Sequence, residues 1–166
     1  MAITTTNNTS LQAYRASLLH FSNDPAFHQN AHAWHEDGLL IIEDGRVVVA
    51  GDYAQFKNSL PEDIEVHDYR GKIIMPGFID THIHYPQTDM IASPAPGLLP
   101  WLETYTFPNE RKLSDPAHAT EVASFFLDEL LRCGTTTAMV YCTVHPESVD
   151  AFFTQSEARN LRMVAG

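Results

Sequence analysis

Apolar positions fall into two rhythms along this chain, and the change from one to the other divides it. Residues 38–51, GLLIIEDGRVVVAG, carry two β-branched apolar runs on either side of Glu43, Asp44, Gly45 and Arg46. Short runs of that kind around an Asp-Gly step predict a β-hairpin, with Asp44 and Gly45 taking the positive backbone angles of a tight turn. Residues 24–37 show no regular apolar period and read as a surface excursion. The histidines within it, His28, His32 and His35, lack the fixed geometry and the nearby thiolates or carboxylates of a metal site. Residues 64–75 continue as strand, loop and strand around Arg70-Gly71.

After Pro76-Gly77 apolar strands alternate with helical patterns, which predicts βα units and a parallel sheet. The first strand spans 78–84. A Pro-rich loop follows, then a short segment at 101–105 and a helix capped by Ser114 or Asp115 with Pro116 in its first turn. Ala119, Val122, Ala123, Phe126, Leu130 and Leu131 recur at three and four residues and give that helix its apolar face. Gly134 ends it. A second strand is expected at 135–142, a second helix from Pro146 to about Arg159, and a third strand at 161–165. The fold class is therefore α/β, divided into a disordered tail at 1–10, a small β domain at 11–75 and a βα domain at 76–166.

Composition narrows the partners. With 21 acidic against 10 basic residues the formal charge is -11, so the surface repels phosphate backbones and anionic membranes, and neither nucleic acid nor membrane is an expected partner. No apolar run is long enough to cross a bilayer. The first ten residues are rich in Thr and Asn with no basic start, unlike a secretory signal, so a cytoplasmic location is expected. Cys133 and Cys142 lack Cys-x-x-Cys spacing and read as buried thiols.

The chemistry concentrates in residues 76–87, PGFIDTHIHYPQ. Side chains two apart on a strand share a face, so Asp80, His82 and His84 are expected on one side, with Thr81 and Ile83 on the other. Two strand rises of roughly 3.3 Å separate the two imidazoles, which lets both lean on one ion above the strand end. A bare His-x-His is a weak signal in isolation. Here Pro76 and Gly77 open a buried apolar strand and Pro86 breaks it just past the histidines, and that context favours a metal site over a surface pair. Imidazole suits zinc and other first-row metals. Asp80 reads either as a carboxylate that orients a ligand or as one held by backbone amides. His145 lies beside Pro146 at the same end of the sheet, where a loop or capping role competes with ligation. Glu121, Asp128 and Glu129 read as a solvated helix face, and His20, His67 and His118 have no positional reason to act.

PGFIDTHIH resembles the first barrel strand of the amidohydrolase superfamily, and GRVVVAG with YRGKIIMPG resembles the small β-sandwich that precedes it. Within that superfamily THIHYPQ, WLETYTFPNER, LRCGTTTAMVY and TVHPESVDAFF are similar to guanine deaminases in order and spacing, over most of residues 37–166. The resemblance implies a part of a small β-sandwich followed by the start of a (β/α)8 TIM-type barrel. Such a barrel needs about 250 residues, so this chain reads as an amino-terminal fragment that cannot close one. It further implies hydrolysis of guanine to xanthine and ammonia with one zinc per subunit, as a homodimer when full length. His82 and His84 would bind the metal, and His84, Tyr85, Pro86 and Gln87 would line the purine pocket. Trp101, with Tyr105, Phe107 and Glu110, would pack over it, unless these aromatics are plain core. Further ligands and the acid that moves the proton are expected beyond Gly166, leaving the fragment inactive alone. Another amidohydrolase, of chlorohydrolase or cyclic-amide type, and a truncated non-catalytic module are the alternatives.

Overall fold

The structure is a computed structural model that describes residues 11–166; the tail expected at 1–10 lies outside the described residues. The described residues form two compact units that divide between Pro76 and Gly77.

The first unit is built on a four-stranded sheet in the order β3-β2-β1-β4, from β1 (Leu11–Phe21), β2 (His32–Glu43), β3 (Arg46–Asp52) and β4 (Val66–Ile74). β2 and β3 form the expected hairpin. Asp44 and Gly45 take φ of 48° and 76°, the positive pair that a two-residue turn needs to match the twist of its strands. Ala13, Leu39 and Ile41 are fully buried, with Val49, Tyr53 and Phe56 packed against them; Tyr53 and Phe56 come from the one-turn helix α1 (Tyr53–Phe56). Three features depart from the sequence expectation, the first being that Val66–Ile74 runs as one strand, with Gly71 at φ 81°, where strand, loop and strand were expected. β1 is an inner strand that apolar alternation does not announce, because its register slips between Ala16 and Leu18 and its buried positions, Ala13, Ala16 and Leu18, follow no period of two. β2 begins at His32, so half of the expected surface excursion is strand. There the His35 Nδ1–H donates to the Asp52 carboxylate at 2.7 Å, and the ring stacks on His20.

The second unit holds a parallel sheet, β5-β6-β7, from β5 (Phe78–His84), β6 (Thr135–Tyr141) and β7 (Arg162–Ala165). Gly77 precedes it because a Cβ there would overlap the side chain of Thr136. Between β5 and β6 run the one-turn helices α2 (Leu98–Trp101) and α3 (Phe107–Glu110), joined by π-helical turn at Leu102–Thr106, and then α4 (Pro116–Arg132). Asp115 caps α4 by accepting from the Ala117 amide at 3.0 Å with Pro116 at its start, and Gly134 leaves it at φ 82°. α5 (Pro146–Ala158) connects β6 to β7. The apolar face of α4 is the expected one except at its end, where Leu127 is buried and Leu131 is exposed. Together with Tyr85, Val140 and Phe152 it forms the main core.

Arg159 ties α5 to α4. It donates to Asp128 at 2.7 Å and to the Ser124 hydroxyl at 2.8 Å, so Asp128 is an interhelix partner and not merely a solvated charge. That guanidinium holds the Asp128 carboxyl below its ordinary range. Cys133 is exposed, contrary to expectation, because it follows the last turn of α4; Cys142 is half-buried and its thiol is pushed up to about 11 by burial.

Phe152 is fully buried and touches the rings of Tyr85 and Phe126. Phe152→Ala therefore lowers the stability of the second unit by about 3–5 kcal/mol, read as a shift of the urea midpoint at unchanged slope.

Candidate metal centre and active site

The carboxyl end of β5 sets the site. Asp80 pairs with buried Ala138, and His84 pairs with Tyr141, which is exposed; between them the register slips by one residue. Paired residues on parallel strands share a face, so Asp80 lies on the same side as Ile83, under the helices, while His84 lies on the open side. Strict alternation would have put Asp80 with the histidines, and the slip overturns that expectation. The Asp80 carboxylate instead accepts a hydrogen bond at 2.9 Å from the amide of His82, one of the two roles the sequence left open for it.

On the open side the two imidazoles converge. Their Nε2 atoms stand 3.3 Å apart. A tetrahedral ion with zinc–nitrogen bonds of about 2.0–2.1 Å holds two ligating nitrogens about 3.3–3.4 Å apart, so this pair fits two corners of a zinc site. Among the described residues no group of three or more His, Cys, Asp or Glu side chains is placed to hold a metal, so two corners are what the chain itself offers. Burial, and then the neighbouring charge of His82, lower the pKa of His84, against a smaller opposing pull from Glu110. A lowered pKa keeps the imidazole neutral, the form that ligates.

An open cavity of about 570 Å³ adjoins the pair, lined by His82, His84, Gln87 and Trp101 and, from α4 and its C-cap, by Phe125, Glu129 and Cys133. It gathers Gln87 and Trp101 from separate segments with the histidines. Tyr85 and Pro86 are elsewhere. Tyr85 is fully buried, donates its hydroxyl proton to the Ser148 carbonyl at 2.7 Å, and stacks near Phe152 at 5.1 Å between centroids; burial raises its phenol well above the ordinary range. Pro86 is fully buried beside it. Both are core residues that anchor the turn Tyr85–Met90, which corrects the expectation that they line a pocket: strand alternation past His84 sends the Tyr85 ring to the helix side. Tyr105 is half-buried and its carbonyl accepts from Asn109; Phe107 is largely exposed, and neither lines this cavity.

His145 occupies the residue before α5, where its side chain makes no capping bond; beside it the Ser148 hydroxyl accepts from the Thr143 amide at 3.0 Å and from the Thr143 hydroxyl at 2.9 Å. The site residue that sequence reading missed is Tyr141. Its ring lies 4.6 Å from that of His84 and 4.8 Å from that of His82. The available signal was positional: an aromatic closing the strand that neighbours a His-x-His strand.

The pattern of the Amidohydrolase family matches residues 73–166. A guanine deaminase of Escherichia coli (strain K12) is 46% identical over 160 residues, covering 95% of this chain and 36% of that protein. A probable guanine deaminase of Deinococcus radiodurans is 40% identical over 161 residues, covering 94% of this chain and 36% of its own length. The crystal structure of guanine deaminase from Bradyrhizobium japonicum superposes with a TM-score of 0.86 at 35% identity, over 95% of this chain and 35% of that one. The chain thus spans about a third of the length of the relatives it matches.

The shift of His84 has a stability consequence with a definite sign. Its folded-state pKa is below the unfolded value of about 6.5, so in acid the unfolded chain binds the proton more readily. Its contribution to stability is therefore fullest above that unfolded value and declines as pH falls below it. Metal-free protein should lose urea resistance from pH 7.5 to 5.5 more steeply than its His84→Gln variant; equal slopes would remove His84 from the titration.

Proposed function

The chain belongs to the amidohydrolase family, and on that premise we propose that it forms the amino-terminal part of a guanine deaminase, an enzyme that hydrolyses guanine to xanthine and ammonia in purine breakdown. The observation that carries the reading is the approach of the His82 and His84 Nε2 atoms to 3.3 Å beside Gln87 and Trp101, in a chain 46% identical to a guanine deaminase. On this reading the second unit is two βα units and the third strand of a (β/α)8 barrel, and the first is part of the small β-sandwich. The position of the histidines supports it, since barrel enzymes of this type keep their chemistry at the carboxyl ends of the strands.

His82 and His84 would hold one zinc ion, their Nε2 atoms lying 3.3 Å apart. When bound, zinc supplies the Lewis acidity that makes hydroxide available near neutral pH. Burial, and then the charge of His82, lower the pKa of His84, which favours the neutral imidazole that ligates a metal. Gln87 orients the purine: its amide both donates and accepts, which suits a ring edge that alternates N–H groups with carbonyl and ring nitrogen acceptors. Trp101 and Ile91 supply apolar wall against which the flat base packs. The remaining ligands and the acid that protonates the departing ammonia belong to later strands of the full-length protein. We place that protein in the cytoplasm as a homodimer, on its resemblance to guanine deaminases; among the described residues no helix is long and apolar enough to cross a membrane.

A substrate panel of guanine, adenine and a chlorotriazine, given to the full-length enzyme, tests the assignment. Xanthine should appear from guanine with little turnover of the other two, and Gln87→Ala should raise KM for guanine by about 10-fold, the cost of one lost polar contact. Chlorotriazine hydrolysis without xanthine would replace the proposal with a chlorohydrolase. The 166-residue chain alone, with two ligands, should release no xanthine and hold zinc weakly.

A further inference from the structure

Tyr141 closes β6 on the open face of the sheet, directly across from His84 in the strand register. Its ring is stacked on the His84 imidazole, with 15° between the planes and 4.6 Å between centroids, and tilted against His82 at 51° and 4.8 Å. One aromatic face therefore bears on both rings whose Nε2 atoms meet at 3.3 Å. A histidine on an open strand face turns freely about its last torsion, which is broad and roughly two-fold, so either ring nitrogen can face the ion position. Contact with Tyr141 removes that freedom.

We propose that Tyr141 is a positioning residue that holds the His82 and His84 imidazoles in the ligating orientation before metal arrives. The proposal rests on the reading of the two histidines as zinc ligands. The contact runs through the ring, so phenylalanine preserves it and leucine, similar in bulk but without a π face, does not. It also strengthens on ligation, because an imidazole that has given electron density to a cation is drawn to an electron-rich aromatic face. The ring nitrogens pay less orientational entropy on binding, and the metal is retained longer.

Metal-free full-length protein titrated with cobalt(II), followed by its visible absorption, provides the test. Tyr141→Leu should bind cobalt about 10-fold more weakly, the usual cost of losing a group that orients a ligand, while Tyr141→Phe binds as the unsubstituted protein does. Without metal, the imidazole protons of His84 should show an upfield ring-current shift that Tyr141→Phe keeps and Tyr141→Leu loses. Unchanged cobalt affinity in Tyr141→Leu, with His82→Ala still abolishing binding, overturns the role of Tyr141 and leaves the metal site standing. Unchanged cobalt binding in His82→Ala overturns the metal site itself. Should Tyr141→Leu fail to fold, Tyr141→Phe decides on its own: loss of either the ring-current shift or the cobalt affinity in that variant contradicts a role carried by the ring.

Discussion

The hydrogen bond from the His82 amide to the Asp80 carboxylate, 2.9 Å long, sits where the β5–β6 register slips by one residue, and the arrangement of the site follows from that slip. An unbroken ladder would place Asp80, His82 and His84 in a row on one face, with a carboxylate beside two imidazoles. The slip sets Asp80 opposite Ala138, on the face of Ile83, and its carboxylate accepts from the His82 amide. The histidines are left together on the open side, facing Tyr141. Asp80 thus shapes the backbone that presents the two histidines.

Immediately after His84 the chain is pinned. Tyr85 fills the space between α4 and α5, its hydroxyl paired with Ser148 and its ring against Phe126 and Phe152; aromatic pairs of that kind contribute about 0.5–1.5 kcal/mol each beyond their buried area. Since Tyr85 and Pro86 are locked into the core, the next residue, Gln87, has a fixed starting point from which to reach the cavity shared with the histidines. A buried anchor one turn from a polar contact is how a loop becomes precise enough for recognition. The same core that stabilises the second unit therefore also positions its candidate substrate contact.

Much of this was legible in the residues. β5 was bounded by Pro76-Gly77 and Pro86, α4 by Asp115-Pro116 and Gly134, and the hairpin by Asp44-Gly45, because each boundary rests on a local backbone constraint that one or two residue types meet. Of the site, the two histidines and the neighbourhood of Gln87 and Trp101 were readable from spacing and resemblance. What escaped was set by register and by contacts distant in sequence. β1 hides its strand character behind a bulge, the face of Asp80 depends on a slip that no pattern of two can encode, and Tyr141 meets His84 across 57 positions of chain through strand pairing alone. Tyr85 was misassigned for a related reason: its position next to the ligands is adjacency along the chain, and alternation turned its ring away from them.

The central claim is that the His82 and His84 Nε2 atoms share one zinc ion. Anomalous diffraction at the zinc edge from crystals of the zinc-loaded full-length protein measures it without reference to activity. A single strong peak is expected within about 2.0–2.1 Å of both nitrogens. A zinc peak bound elsewhere, or contacting neither imidazole, would contradict it.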